Sequence, residues 1–171
     1  MPDSSDSIFL VDAYSDPVLV KIRGRASFAN SGSIRDFMSA EIKEGKRRFV
    51  FDFQECSGMD STFLGVLAGS ALSLRKQAPR GSLVFCGLET RNLELIRNLG
   101  LHRLAIVDEG ETLSKEKNLS ALDQGDKLGA LEGAKLCLKA HENLVKADRS
   151  NGRKFEDVIE VLKNRVSQKK A

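Results

Sequence analysis

The sequence predicts an α/β fold, in which helices pack on a mixed β-sheet, followed by a C-terminal helical extension. Two observations support this. As far as about residue 108, short apolar runs typical of strands alternate with segments of helical period, and this alternation is typical of a mixed sheet with parallel pairs. Beyond residue 111 we find no convincing strand, and apolar residues recur at helical spacing. The sequence therefore divides into residues 1–110 and an extension at 111–171.

The first predicted elements are two strands, a helix and a third strand. Residues 8–13 (IFLVDA) and 18–23 (VLVKIR) flank a turn that ends at Pro17. Ser33 is a candidate cap for a helix that ends before Gly45, after a polar loop. Residues 48–53 (RFVFDF) are apolar at nearly every position, as expected for a central strand that is covered on both faces.

The next predicted elements are two further helices, each followed by a strand. The order becomes β-β-α-β-α-β-α-β, with helices at 62–77 and 90–99 and strands at 82–86 and 104–107. Gly65 and Gly69 lie within the helix at 62–77, where small residues let a helix approach a sheet closely. Gly100 ends the helix that begins at Thr90.

The extension carries two helical patterns. Residues 126–147 have leucines at helical spacing, residues 148–152 (DRSNG) interrupt them, and an apolar stripe then runs from Phe155 to Val166. Two such helices form an αα-hairpin that packs on itself, on the preceding domain or on another chain. A homodimer through these helices is one of these alternatives.

Composition excludes several classes of protein. The chain of 171 residues is 41% hydrophobic and 30% charged, with a net charge of +3, so we expect no direct binding of nucleic acid. The residues after Leu122 hold 11 Lys and Arg against 8 Asp and Glu, so the positive excess lies in the extension. Three widely spaced cysteines predict reduced thiols rather than disulfides or a metal site. With no signal peptide and no apolar run long enough for a membrane span, we expect a cytoplasmic protein.

Three polar residues mark the candidate site. Asp60, Ser61 and Thr62 follow the apolar strand where a helix begins. Short polar side chains there cap the free N–H groups of the first turn, and the helix dipole favours added negative charge. The place suits a phosphorylation switch. On residue type alone, however, a serine at this position is more often just a helix cap.

The passage FVFDFQECSGMDSTFLGVLAG, followed by GSLVFCGLETRNLELIRNLGLHRLAIV, resembles a STAS domain, and more narrowly the bacterial anti-sigma factor antagonists. The resemblance covers about residues 8–108 and implies a STAS-like mixed sheet. It also implies that Ser61, which directly follows Asp60, is phosphorylated by an ATP-dependent anti-sigma factor kinase, and that a serine phosphatase reverses the modification. Phe63 stands where the family usually has Gly, which bears on the identity of the kinase.

The resemblance assigns the site residues. Ser61 is the expected phosphoacceptor and Thr62 the less favoured one, and the expected partner-binding residues are Asp60, Ser61, Thr62, Phe63 and Asp52. Asp60 is either a second cap or a group that orients the serine and the nucleotide. Asp52 acts beside the switch or is a hydrogen-bond acceptor at the strand end. We predict no catalytic residue, no metal and no cofactor, and expect the two histidines, His102 and His141, to be solvated or packing residues.

The predicted function is that of an anti-sigma factor antagonist, which is not an enzyme and which regulates sigma-factor-dependent transcription. The unphosphorylated protein binds its kinase through the turn and through the exposed face of the following helix. The alternative is an unphosphorylated STAS scaffold subunit of a transport or signalling complex, and a weaker one is a sensor of small molecules or nucleotides. For the extension, dimerisation, covering of an apolar sheet face and selection of the kinase remain open.

Overall fold

The computed structural model describes residues 8–108, 118–125 and 127–168. Within them, six strands form one sheet in the order β5-β4-β3-β2-β1-β6. Strands β2 to β5 are parallel neighbours, whereas β1 pairs antiparallel with β2 and β6. The strands are β1 (Phe9–Asp12), β2 (Val18–Ala26), β3 (Arg48–Met59), β4 (Ser82–Cys86), β5 (Ile106–Asp108) and β6 (Ser120–Ala121). The predicted α/β mixed sheet is confirmed.

Six α-helices accompany the sheet in the described residues. They are α1 (Phe28–Lys43), α2 (Ser61–Arg75), α3 (Thr90–Asn98), α4 (Ala130–Ala147), α5 (Asn151–Lys154) and α6 (Glu156–Gln168). The last three confirm the helical extension, and α6 packs against α4. The predicted division between residues 110 and 111 lies outside the described residues. None of these helices has the length and apolar character that a membrane crossing requires.

Helix α1 begins five residues before the predicted cap at Ser33. Ser27 is the N-cap: its Oγ accepts a hydrogen bond from the N–H of Ala29, and the Asn30 side chain accepts one from the N–H of Ser27. Ser31 donates its hydroxyl to the carbonyl of Ser27 at 2.6 Å. The polar residues that suggest a loop are therefore bonded to the backbone inside the first turns of the helix.

Strand β3 is longer than predicted. It continues past Phe53 to Met59, through residues expected to form a loop, because β2 continues to pair with it across two register shifts. Lys21 and Glu55, on the paired strands, form an ion pair at 2.7 Å. The lengthened strand delivers the chain directly to the cap of α2.

The extension also supplies a strand, contrary to expectation. Ser120 and Ala121 pair with β1 at the edge of the sheet, and the N–H of Leu122 donates to the carbonyl of Phe9. A two-residue strand is too short to leave a periodic signal. Near the other end of the extension, the fully buried Asn151 donates its side-chain N–H groups to the carbonyls of Leu99 and Leu144.

Helix α2 lies between the sheet and α4. On the sheet side, Phe63 stacks on Phe9 of β1 with the ring centroids 5.8 Å apart. On the other side α4 packs against α2 and adds Leu136, Ala140 and Leu144 to the main hydrophobic core. Ten of the 15 residues of α2 are therefore buried and four more are partly buried. The expectation of an exposed α2 face is wrong for this structure.

Gly65 and Gly69 explain how closely α4 approaches. A Cβ at Gly65 would lie 2.5 Å from the carbonyl carbon and 2.7 Å from the Cα of Ala140, and a Cβ at Gly69 would collide with the amide of Asn143. These glycines were expected to fit against the sheet. They instead allow the backbone of α2 to meet that of α4, which is the usual role of small residues spaced four apart on one helix face.

Candidate functional site

The turn between β3 and α2 is held by the carboxylate of Asp60. One oxygen, Oδ1, accepts from the N–H of Phe63 at 2.9 Å and caps α2, while Oδ2 accepts from the N–H of Phe28 at 2.8 Å at the start of α1. A single carboxylate therefore satisfies N–H groups at two helix N-termini, where the dipoles favour negative charge. The role expected of Asp60 as a helix cap is present, and it extends to a second helix.

Ser61 is the first residue of α2 and is partly buried. Its Oγ lies 2.9 Å from Nε2 of His141, which is 80 residues later in the chain, on α4. Asp60 occupies the capping position, so the Ser61 hydroxyl is not needed as a cap. The structure thus places the predicted phosphoacceptor hydroxyl against an imidazole.

The tautomer of His141 follows from its second nitrogen. Nδ1 lies 2.7 Å from the backbone carbonyl oxygen of Cys137, and a carbonyl oxygen only accepts hydrogen bonds, so Nδ1 carries the proton. In the neutral ring Nε2 is then an acceptor, and the Ser61 hydroxyl donates to it. The ring is 3% exposed and packs edge-to-face on Phe155 with the centroids 4.9 Å apart, which fixes its orientation.

Thr62 and Cys137 form a second contact between α2 and α4. The Thr62 Oγ1 and the Cys137 Sγ are 3.4 Å apart, and Thr62 is 5% exposed. Burial acts to raise the pKa of the Cys137 thiol, but hydrogen bonds with His141 and Thr62 outweigh it and hold that pKa below its usual value. Burial likewise acts to lower the pKa of His141, but the hydrogen bonds with Cys137 outweigh it, so the pKa of His141 is raised.

Three of the residues predicted to contact a partner are buried instead: Thr62, Phe63 and Asp52. Phe63 is completely inaccessible and fills the space under β1, so its bulk acts on the core rather than beside the switch. Asp52 is 2% exposed, and its Oδ1 accepts from the N–H of Gln54 at 2.9 Å. The alternative expectation for Asp52, that of a structural hydrogen-bond acceptor, fits its position. Of the five predicted residues only Asp60 and Ser61 retain partial exposure.

His141 and Cys137 were missed by reasoning from the sequence. His141 was assigned a solvated or packing role because no metal ligand or carboxylate lies near it in the sequence, whereas its nearest polar side chain is that of Ser61. The available signal was its position: His141 lies four residues after Cys137 and three before the buried Leu144, on the apolar face of α4. His102, in contrast, is exposed as expected.

The hydroxyl–imidazole pair resembles the nucleophile and base of hydrolases, in which a third group orients the base. Here that third group is a backbone carbonyl, and α4 packs over the hydroxyl. A groove lies between α1, α2 and α4 and is not lined by Ser61 or His141. Across the parts of the chain that the structure describes, no three His, Cys, Asp or Glu side chains are placed to hold a metal ion.

That groove is basic, and three of its lysines come from α4. Its walls come from α1 and α4, its floor comes from α2, and no carboxylate lines it within the described residues. Two of its basic residues are in ion pairs, Lys135 with Glu132 at 3.3 Å and Arg35 with Asp36 at 3.0 Å. The two carboxylates of these pairs do not line the groove. The basic residues that line it are Arg35, Lys43, Arg47, Lys76, Lys135, Lys139 and Lys146.

Known proteins match both the sequence and the fold. The STAS domain family model matches residues 9–114. A solved structure described as the anti-sigma factor antagonist SpoIIAA in its unphosphorylated form is similar, with a TM-score of 0.50 and 18% identity over 60% of this chain and 89% of that chain. Another, described as the Bacillus cell fate determinant SpoIIAA in the phosphorylated form, has a TM-score of 0.49 and 19% identity, over 59% of this chain and 91% of that chain. At this level of identity the structural likeness concerns the fold, whereas the family match extends over more than half of the sequence, and this chain therefore belongs to the STAS domain family.

Proposed function

We propose that this protein is an anti-sigma factor antagonist. It binds an anti-sigma factor that is also an ATP-dependent serine kinase, thereby frees a sigma factor, and is switched off when that kinase phosphorylates Ser61. A serine phosphatase restores the binding form. The protein is the substrate of the kinase, has no catalytic activity of its own and acts in the cytoplasm. The observation that carries the proposal is the Ser61 hydroxyl, which stands at a helix N-terminus beside an acidic cap and is not used as a cap itself.

The switch works through local charge. A phosphate on Ser61 adds about −1.5 to −2 charges next to the carboxylate of Asp60. The N-terminus of α2 offsets about 0.3–1 kcal/mol of the repulsion, so the fold survives. A partner surface that fits the neutral hydroxyl must desolvate or repel the new charge, and like charges across an interface cost several kcal/mol. Such a cost lowers affinity by about a hundredfold or more.

Ser61 is a better acceptor than Thr62. The Thr62 side chain is 5% exposed and its oxygen faces the Cys137 sulfur at 3.4 Å. The Ser61 side chain, in contrast, is only partly buried. An oxygen must reach the γ-phosphate in line with the leaving group, and the Ser61 oxygen is the more accessible of the two.

The experiment is a phosphorylation assay with the cognate kinase, ATP and magnesium, and with the phosphate mapped by mass spectrometry. We expect one phosphate on Ser61, none on Ser61→Ala, and an unchanged yield on Thr62→Val. Binding to the anti-sigma factor, measured by calorimetry, is expected to weaken about a hundredfold on phosphorylation. Phosphate on another residue of the wild type, or on Ser61→Ala, contradicts the assignment.

The second candidate function is an unphosphorylated STAS scaffold subunit of a transport or signalling complex. The observation in its favour is the packing of α4 over α2, which leaves Ser61 only partly accessible. This role predicts that Ser61→Ala and Ser61→Asp capture the same partners with the same affinity. The antagonist role predicts that Ser61→Asp loses the partner that Ser61→Ala retains.

A further inference from the structure

Helix α4 packs on the face of α2 that lies away from the sheet. Four contacts define this occupied face: the backbone of Ala140 lies on Gly65, the amide of Asn143 lies on Gly69 and donates to the Gly65 carbonyl at 3.3 Å, His141 meets Ser61, and Cys137 meets Thr62. The apolar side chains of Leu136 and Leu144 are buried in the same contact. The contact therefore combines close backbone packing with hydrogen bonds to the first two residues of α2.

We propose that α4 is an intramolecular cover of this face, and that a docked α4 and a phosphate on Ser61 exclude each other. The inference rests on the proposed function, since it describes how the same serine is regulated. In the resting protein the Ser61 hydroxyl holds the cover through His141. When Ser61 carries a phosphate, α4 cannot dock on α2, while the charge of the phosphate repels the partner.

The exclusion follows from the space at the contact. Ser61 Oγ and His141 Nε2 are 2.9 Å apart. A phosphate oxygen bonded to a charged imidazole needs about 2.7–2.9 Å for that hydrogen bond alone, so no room remains for the phosphorus and its other oxygens. Nor can the His141 ring turn aside while α4 stays docked, because it is buried, packs on Phe155 and is bonded to the Cys137 carbonyl. Phosphate insertion therefore separates the helices rather than compressing them.

The charges near the contact act in the same direction. Asp60 lies beside Ser61 and bears on the ionisation of both Cys137 and His141, so a phosphate adds a second negative group beside a thiol whose pKa is held below its usual value. The lysines of α4 do not offset this at the site, because Lys135, Lys139 and Lys146 line the groove on the α1 side, which Ser61 does not reach. Of the described residues, His141 is the one whose side chain is bonded to Ser61, and its ring is held in place by Phe155.

A native thiol reports the position of the cover. Cys137 is partly exposed when α4 is docked, whereas Cys56 and Cys86 are 3% and 1% exposed and belong to the sheet. Alkylation by iodoacetamide under native conditions, quantified at each cysteine by mass spectrometry, therefore measures undocking at Cys137 against two internal references. Hydrogen exchange of the α4 amides gives a second readout, which does not depend on the ionisation of the thiol.

The experiment places phosphoserine at position 61 of the full chain by genetic encoding, so that no kinase is required. Phosphoserine at Ser57, which is exposed on β3, is the matched control. We expect alkylation of Cys137 and hydrogen exchange in α4 to rise about tenfold with phosphoserine at 61, and to stay at the wild-type level with phosphoserine at 57. Unchanged or slower reaction of Cys137, with unchanged or slower exchange, overturns the cover.

A pair of histidine variants tests access from the other direction. His141→Ala removes the bond that holds Ser61, whereas His102→Ala changes an exposed histidine. We expect the cognate kinase to phosphorylate the first variant faster than the wild type and the second at the wild-type rate. A slower rate for His141→Ala overturns the cover and makes His141 a positioning residue for the reaction. If no kinase modifies Ser61 but the encoded phosphoserine still releases α4, the proposed function fails and the cover stands.

Discussion

Replacement of Gly65 by alanine adds one methyl group where α2 and α4 are closest. The new Cβ would lie 2.5 Å from the carbonyl carbon of Ala140 and 2.7 Å from its Cα, and closer still to the oxygen, whereas ordinary contacts lie at 3.4–4 Å. Each of these atoms belongs to the backbone, so no side-chain rotation relieves the clash. Gly152→Ala is the matched control, because its Cβ would meet Val145 at 3.9 Å.

The expected magnitude comes from two opposing effects. Alanine in a helix interior is favoured over glycine by about 1 kcal/mol, and this gain applies to both variants. At Gly65 it is opposed by overpacking, which costs about 1–3 kcal/mol, and a clash between two backbones belongs at the upper end. Full undocking would cost more, because burial of Leu136 and Leu144 is worth about 1.5–3 kcal/mol each. We therefore expect Gly65→Ala to lower the free energy of unfolding by about 2 kcal/mol.

The assay is urea denaturation followed by circular dichroism, with the thermal midpoint as a second measure. A loss of about 2 kcal/mol lowers Tm by about 4–8 °C in a chain of this size, while Gly152→Ala leaves it unchanged or raises it. If Gly65→Ala proves as stable as Gly152→Ala, α4 does not pack on α2 as closely as described, and the reasoning on the cover fails with it.

Three further predictions concern the same region. The pKa of His141 is raised in the folded protein, so the stability that protonated His141 contributes is fully present below the ordinary pKa near 6.5. This contribution is lost as the pH rises through the pKa of the folded state. Subtracting the pH dependence measured for His141→Asn should isolate this loss, and a difference that does not change with pH contradicts it. Asp60→Ala removes the caps of two helices and should cost about 1–4 kcal/mol in urea denaturation, at about 0.5–2 per cap, whereas Asp36→Ala, on the exposed side of α1, should cost less than about 0.5. Truncation after Leu122 should leave the sheet folded, since all six strands precede that point in the described residues. It should lower the free energy of unfolding by about 3–6 kcal/mol, because the two buried leucines of α4 are lost. Non-cooperative melting of the truncated protein would show that the core requires α4.

The regulatory consequence of the cover is a requirement for two steps. A kinase that reaches Ser61 must first meet the protein with α4 released, because the docked helix limits access to the hydroxyl. Once phosphorylated, Ser61 no longer accepts the cover. The release of α4 then persists until a phosphatase removes the phosphate, so the extension stays undocked after the kinase has left.

Elements with strong local signals were predicted nearly to the residue. The strand at 82–86 and the helix that starts at Thr90 agree with the structure. Each is bounded by turn residues, and the apolar residues form a short continuous run in the strand and recur at helical spacing in the helix. The start of α1 was misplaced, since Asn30 and Ser31 look like loop residues until their side chains are seen to bond within the helix. The end of β3 was missed because its last residues are strand only through pairing with β2.

The site divides in the same way between local and distant information. That Asp60 caps a helix and Ser61 follows it is readable from three consecutive residues, because capping is a short-range interaction between a side chain and the N–H groups of the next turn. The burial of Phe63 and Asp52 was not readable, since exposure depends on which strands and loops lie above them.

The amino-acid sequence alone determined the order of the main strands and helices and the position of the serine, because these depend on periodicity and capping within a few residues, and its resemblance to a known family implied the STAS-like sheet. Only the tertiary structure decided that Gly65 and Gly69 face α4 rather than the sheet, and that His141 holds Ser61 across 80 residues of chain. No local pattern encodes which helix packs on which, since that choice follows from the fit of whole surfaces once the sheet is formed.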